Sequence, residues 1–91
     1  VSAVRVVIKG RVQGVGFRAW VIREARQRKL TGWVGNRNDG SVEALFAGDA
    51  ATVDAMLEAC RTGPRLAAVR DITASPADDE GWGDFSARPD A

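Results

Sequence analysis

The run Gly10-Arg11-Val12-Gln13-Gly14-Val15-Gly16-Phe17-Arg18 combines three glycines with a guanidinium at its end. Glycine admits tight and left-handed turns and lets backbone N–H groups approach a ligand closely. The run lies between an alternating apolar stretch and a strongly helical one, so Arg18 falls at a helix N-terminus, where orphan N–H groups and the helix dipole favour an anion. The chemistry is that of an anion cradle. A phosphate or carboxylate would meet amides, dipole and guanidinium together. A second candidate is Asn36, in Gly32-Trp33-Val34-Gly35-Asn36. Alternation puts Val34 and Asn36 on one face of a strand and Trp33 and Gly35 on the other. Asn is a poor strand former, and a turn role for it competes with Asn38, which already supplies that chemistry.

Two common glycine-loop readings are weaker. A Walker loop needs a Gly-Lys pair, and the chain has none. Gly14-Val15-Gly16-Phe17-Arg18-Ala19 does fit the dinucleotide fingerprint, but such a fold wants parallel strands and crossovers, whereas the acid at the right distance, Asp39, falls in a hairpin turn.

The elements that must position these residues follow from periodicity. Val4, Val6 and Ile8 alternate with Arg5, Val7 and Lys9, which predicts a first strand. Phe17, Val21, Ala25 and Arg28 recur at helical spacing, predicting a helix over 17–29. Thr31 to Asn36 and Ser41 to Ala47 read as an antiparallel hairpin around Arg37-Asn38-Asp39-Gly40. Asp49 is a candidate N-cap for a second helix with the stripe Val53, Met56, Leu57 and Cys60, and Gly63, suited to the left-handed position after a helix end, and Pro64 stop it. Residues 66–74 read as a weaker strand of unsettled phase, 75–83 as a loop and 84–88 as a short last strand. The order β-α-β-β-α-β plus a short terminal strand is the ferredoxin-like split βαβ pattern of an α+β fold: an antiparallel sheet with two helices packed on one face.

Ninety-one residues suit a single domain over 1–91. The one cysteine, Cys60, leaves no internal disulfide and gives an intracellular redox reading. No apolar run approaches a membrane span, and Val1 to Arg5 lack the long apolar segment of a secretory signal, so a cytoplasmic protein without membrane attachment is expected. Residues 1–37 carry nine Lys and Arg against one acid, a net of +8, and residues 38–91 carry four Arg against eleven acids, a net of −7. The cradle lies in the basic half, where the field favours a small anion.

Gly10 to Arg18, then Gly32 to Asn36, then Asp39-Gly40-Ser41-Val42-Glu43 together resemble the two signatures of the acylphosphatase family, and Cys60-Arg61-Thr62-Gly63-Pro64 and the Phe85 strand resemble its later pattern. The resemblance implies metal-independent hydrolysis of a carboxyl phosphate mixed anhydride to carboxylate and inorganic phosphate. It implies that the loop Arg11, Val12, Gln13, Gly14, Val15, Gly16 and Phe17 binds the phosphoryl oxygens through backbone amides, together with the Arg18 side chain, and that Asn36 orients the attacking water. No cofactor or metal is implied. The partner is a small acyl phosphate, with inorganic phosphate or another anion able to occupy the loop; no nucleic acid is expected, and a monomer is. The chain departs from the family at Lys29-Leu30, where a glycine usually ends the first helix, so a different helix end is expected there. Cys60 and the three tryptophans read as packing residues, with Trp33 also a candidate for lining the site, and Asp78-Asp79-Glu80 reads as a solvated run. The alternative to an enzyme is an anion-binding module, or a domain of a larger carbamoyl-transferring maturation protein. An RNA-binding use of the fold is disfavoured because the third strand offers only Phe46 for stacking.

Overall fold

The computed structural model describes residues 2–88. Residues 1 and 89–91, the ends of the domain expected from the sequence, lie outside the described residues. The elements are β1 (Ser2–Arg11), α1 (Phe17–Gln27), β2 (Thr31–Asn36), β3 (Val42–Gly48), α2 (Ala50–Thr62), β4 (Ala68–Pro76) and β5 (Phe85–Ala87). They form one five-stranded sheet in the order β4-β1-β3-β2-β5. The first four strands pair antiparallel, as expected, but β5 lies parallel to β2, which makes the sheet mixed.

Register explains the core. Val6 pairs with Ala44 and Ile8 with Val42, while Val34 pairs with Ala44, so their side chains share one face of the sheet. On that face they join Phe17, Val21 and Ala25 of α1 and Val53, Met56 and Cys60 of α2 in one buried cluster. Both helices therefore cover the same face, and each fully buried large side chain contributes roughly 1.5–3 kcal/mol. Phe85 stacks on Phe46 at 5.4 Å, anchoring β5 to the same core.

The other face is covered in part by the segment that joins β4 to β5. Those strands are opposite edges, so this connection must cross the sheet, roughly 19 Å at four strand spacings. Its eight residues, which would span roughly 26–29 Å fully extended, cover that distance with slack. Along the way Glu80 accepts from Nε1 of Trp33 at 3.0 Å and Nε1 of Trp82 at 2.9 Å. Arg88 lies 4.1 Å from the Trp33 ring centroid. Trp33 and its register partner Leu45 are buried on this side. The acidic run thus contains a latch. Glu80 is held below the ordinary carboxylate range, first by the Trp82 indole N–H and then by that of Trp33.

Two helix ends differ from the expectation. Helix α1 stops at Gln27, and Lys29 itself takes the left-handed conformation, with φ 58°. The N–H of Leu30 donates to Ala25 O at 3.0 Å and that of Lys29 to Arg26 O at 3.0 Å, which is a Schellman closure with lysine in the glycine position. The ion-paired ends of the two charge halves also meet: Arg5 pairs with Glu43 and Arg26 with Asp84, each at 3.2 Å. Helix α2 begins as expected, with the Asp49 side chain accepting from Thr52 N. It ends at Gly63, whose φ 67° and ψ −168° lie outside the left-handed helical region. That backbone is open essentially to glycine alone.

The phase of β4 has a local cause. The register slips between Lys9 and Gly10, so Lys9 pairs with Asp71 but Gly10 with Val69, and Arg70 is left over. Val69 and Ile72, three residues apart, consequently both pack against the core. A Cβ on Gly10 would lie 2.3 Å from Ala68 O, so the bulge requires glycine there.

Candidate active site

The cradle loop leaves β1 at Arg11 and enters α1 at Phe17. Gly14 and Gly16 take φ 73° and 77°, and a Cβ at either would meet nothing within 4 Å. These glycines serve the backbone conformation, since space is not limiting. Gly16 is the N-cap of α1 and supplies no side-chain cap, so the first-turn N–H groups are not satisfied by a capping side chain. Phe17 inserts into the core and Val12 is buried with it, pinning both ends of the loop while its middle faces solvent.

Asn36 is the last residue of β2 and pairs in register with Val42. It lies on the helix-covered face, as alternation predicts, and its Oδ1 is buried. The turn that follows is closed by Arg37 N donating to Ser41 O at 2.8 Å, with Gly40 at φ 91°. Asp39 Oδ1 accepts from the Ser41 N–H at 3.0 Å and from its hydroxyl at 2.5 Å. Those bonds, the hydroxyl's first, hold the Asp39 carboxyl below its ordinary range.

A cleft of about 440 Å3 gathers Val12, Gln13, Gly14, Gly16, Phe17, Arg18, Ala19, Ile22, Asn36 and Ala87. Its size is typical of a small-molecule site. Of the residues singled out in the sequence, the cleft brings together Arg18, Asn36, Val12, Gln13, Gly14, Gly16 and Phe17. Arg11 ends β1, paired with Ala68, and Val15 packs on the core; neither lines the cleft. Trp33 does not line it either, because it points to the opposite face of the sheet. A second hollow of about 330 Å3, lined by Lys9, Gly10, Asp39, Gly40, Ser41 and Arg70, contains neither Arg18 nor Asn36. Sequence reasoning passed over the side chain of Gln13: its Nε2 donates to Arg37 O at 2.9 Å and to Ser41 O at 3.0 Å. Ile22 and Ala87, which complete the wall, carry no polar signal that could have marked them.

Cys60 is buried in the core, and burial pushes its thiol up to about 12, so it is a packing residue outside the cleft. Among the described residues no group of three or more His, Cys, Asp or Glu could hold a metal ion, and no helix is long and apolar enough to cross a membrane.

The acylphosphatase family model matches residues 4–87. The chain belongs to the acylphosphatase family. It is 57% identical over 70 residues to the acylphosphatase of Acidiphilium cryptum, covering 77% of each chain. It is 49% identical over 82 residues to that of Rhodospirillum rubrum, covering 90% of each. The crystal structure of acylphosphatase from Bacillus subtilis superposes with a TM-score of 0.93 at 42% identity, covering 97% of this chain and 99% of that one. A crystal structure of full-length HypF in a phosphate- and nucleotide-bound form matches 98% of this chain but 12% of its own, with a TM-score of 0.85 and 27% identity. The same fold therefore also occurs inside a much longer chain. As an acylphosphatase the protein is a hydrolase acting on acyl phosphates.

Proposed function

We propose that the cleft hydrolyses acyl phosphates without a metal, with the cradle amides and Arg18 binding the phosphoryl group and Asn36 orienting the attacking water. The observation that carries this reading is the convergence of Arg18, Asn36 and the glycine loop on one cleft, although they come from α1, β2 and the β1–α1 connection. Phosphoryl transfer demands positioning and stabilisation of charge on the equatorial oxygens. A guanidinium fork and helix-terminal amides supply both. The leaving group is a carboxylate, which departs without a protein acid. Asn36 can accept a hydrogen bond from water but cannot take its proton at neutral pH, so the substrate's own phosphate oxygens are the proton acceptor. The chain has no histidine, and its only cysteine is buried away from the cleft, which favours direct attack by water over a covalent intermediate on either residue. A monomer acting in the cytoplasm belongs to the same reading; for the compartment its support is that Cys60 forms no disulfide.

The test is release of phosphate from benzoyl phosphate by purified protein in EDTA. Undiminished turnover is expected, with kcat nearly flat between about pH 5 and 8, where only histidine would ordinarily titrate. Loss of activity in EDTA restored by a divalent ion, or a steep inflection near neutrality, would overturn the reading.

A further inference from the structure

The two halves of the cleft come from different parts of the chain, and one side chain joins them directly. Gln13 belongs to the cradle loop and is partly buried. Its carboxamide reaches across to the β2–β3 hairpin, 24 and 28 residues away, and donates to the carbonyls of Arg37 and Ser41. Those two residues close the hairpin on each other, Arg37 N donating to Ser41 O. Arg37 directly follows Asn36, and Ser41 directly precedes Val42, the register partner of Asn36. Gln13 thus grips the backbone of both arms of the hairpin, one residue to the turn side of the pair that carries the Asn36 side chain. The orientation of the amide follows from its partners: both are acceptors, so a reversed amide would set Oε1 against two carbonyl oxygens.

We propose that Gln13 is a positioning residue for the reaction, fixing the hairpin to the phosphate cradle so that the water held by Asn36 stands in line with the phosphoryl group bound at Arg18. The inference rests on the reading of the cleft given above. Its physical basis is that an attacking group must be held to a fraction of an ångström, and misplacement by 1 Å can cost on the order of 100-fold in rate. The glycine loop has conformational freedom of its own at Gly14 and Gly16, and the hairpin tip is exposed. Two hydrogen bonds from one rigid amide restrict their relative motion where the cleft needs it.

The test uses Gln13→Met, which keeps length and loses both donors, and Gln13→Glu, which keeps shape. Turnover of benzoyl phosphate, competitive inhibition by inorganic phosphate and thermal midpoint are measured for each, with and without Asn36→Ala. Gln13→Met should lower kcat by roughly 10- to 100-fold while phosphate inhibition is nearly unchanged, because the cradle remains and the alignment is lost. In the Asn36→Ala background the same change should have little further effect on kcat, the signature of one residue acting through another. Gln13→Glu presents a carboxylate to two carbonyls at neutral pH and should be impaired. As pH falls toward 5 its carboxyl, raised by those acceptors, gains a proton, donates one bond and restores part of kcat. The charged groups nearby are Arg18, which lines the same cleft, Arg37, whose carbonyl accepts from Gln13, and Asp39, whose carboxyl is held low by its bonds from Ser41.

Wild-type kcat in both variants would overturn the proposal. So would parallel losses of kcat and phosphate affinity, or an equal loss from Gln13→Met whether or not Asn36 is present. If Gln13→Met does not fold, the pH response of Gln13→Glu decides, and its absence counts against the proposal. An inactive wild type would instead refute the catalytic reading of the cleft, and the proposal with it.

Discussion

Replacing Lys29 with glycine should stabilise the protein, and the structure supplies the magnitude. Lys29 occupies φ 58° in the Schellman closure of α1, a conformation in which a Cβ crowds the following carbonyl. That crowding costs roughly 1–2 kcal/mol for an L-residue. Glycine removes it but returns about 0.4–1 kcal/mol through the greater entropy of the unfolded chain. The expected net gain is therefore about 0.5–1 kcal/mol. For a domain of this size 1 kcal/mol moves the midpoint by roughly 4–8 °C, so Lys29→Gly should melt about 2–8 °C higher. Lys29→Ala is the control, because it removes the same charge near the helix C-terminus yet retains the Cβ. The difference between the two variants isolates the backbone term. Lys29 is exposed, so neither change should disturb the core. The assay is calorimetric melting at neutral pH, with urea denaturation to confirm an unchanged m-value. A glycine variant no more stable than the alanine variant would refute the strain argument and mean that the Leu30 and Lys29 hydrogen bonds, with Leu30 packed in the core, hold the lysine at no net penalty.

Three further outcomes are expected. Asn36→Ala, which frees the attacking water from its acceptor, should lower kcat for benzoyl phosphate by about 100-fold with phosphate inhibition retained, whereas Arg18→Ala, which removes a donor to the transferring phosphoryl group typically worth ~3 kcal/mol, should abolish both turnover and phosphate inhibition; small, equal effects on kinetic assay would remove both assignments. The Cys60 thiol, raised by burial to about 12, should resist a thiol reagent at neutral pH until urea unfolds the chain, and its folded-state elevation means that stability falls as pH rises from the ordinary thiol value of about 9 toward about 12; rapid labelling of native protein would contradict this. The Glu80 latch has the opposite sign: its carboxyl is depressed by the two indole donors, so its contribution is present above the ordinary glutamate range and lost as pH falls through the lowered value. Tryptophan emission should report release of Trp33 and Trp82 on acidification, and Glu80→Gln should remove much of that transition; an unchanged acid transition in Glu80→Gln would place it elsewhere.

Much of the candidate cleft was legible in the chain because its signals are local. Gly14, Gly16 and Arg18 mark a turn and a helix start within five residues, and Asn36 stands out as a poor strand former that alternation puts on the same strand face as Val34. The helix stripe Phe17, Val21 and Ala25 and the strand faces Val6 and Ile8, Val42 and Ala44 were likewise fixed by periodicity, and all are buried in the structure. The phase of β4 was not legible, because the Lys9–Gly10 bulge depends on a partner strand some sixty residues away and breaks the two-residue period that a strand pattern relies on. The left-handed Lys29 was masked for a related reason. Propensity argues against it, but the tertiary packing of Leu30 outweighs a local cost of roughly 1 kcal/mol.

The sequence by itself determined the helices, the hairpin, the α+β class and the two side chains that mark the family, since each of these follows from residue types within a short window. Only the tertiary structure decided that β5 runs parallel to β2 at one edge, that Trp33 faces away from the cleft under Glu80 and Arg88, and that Gln13 joins the cradle to the hairpin. These depend on strand order and register, which bring together residues separated by tens of positions, and no local pattern carries that information.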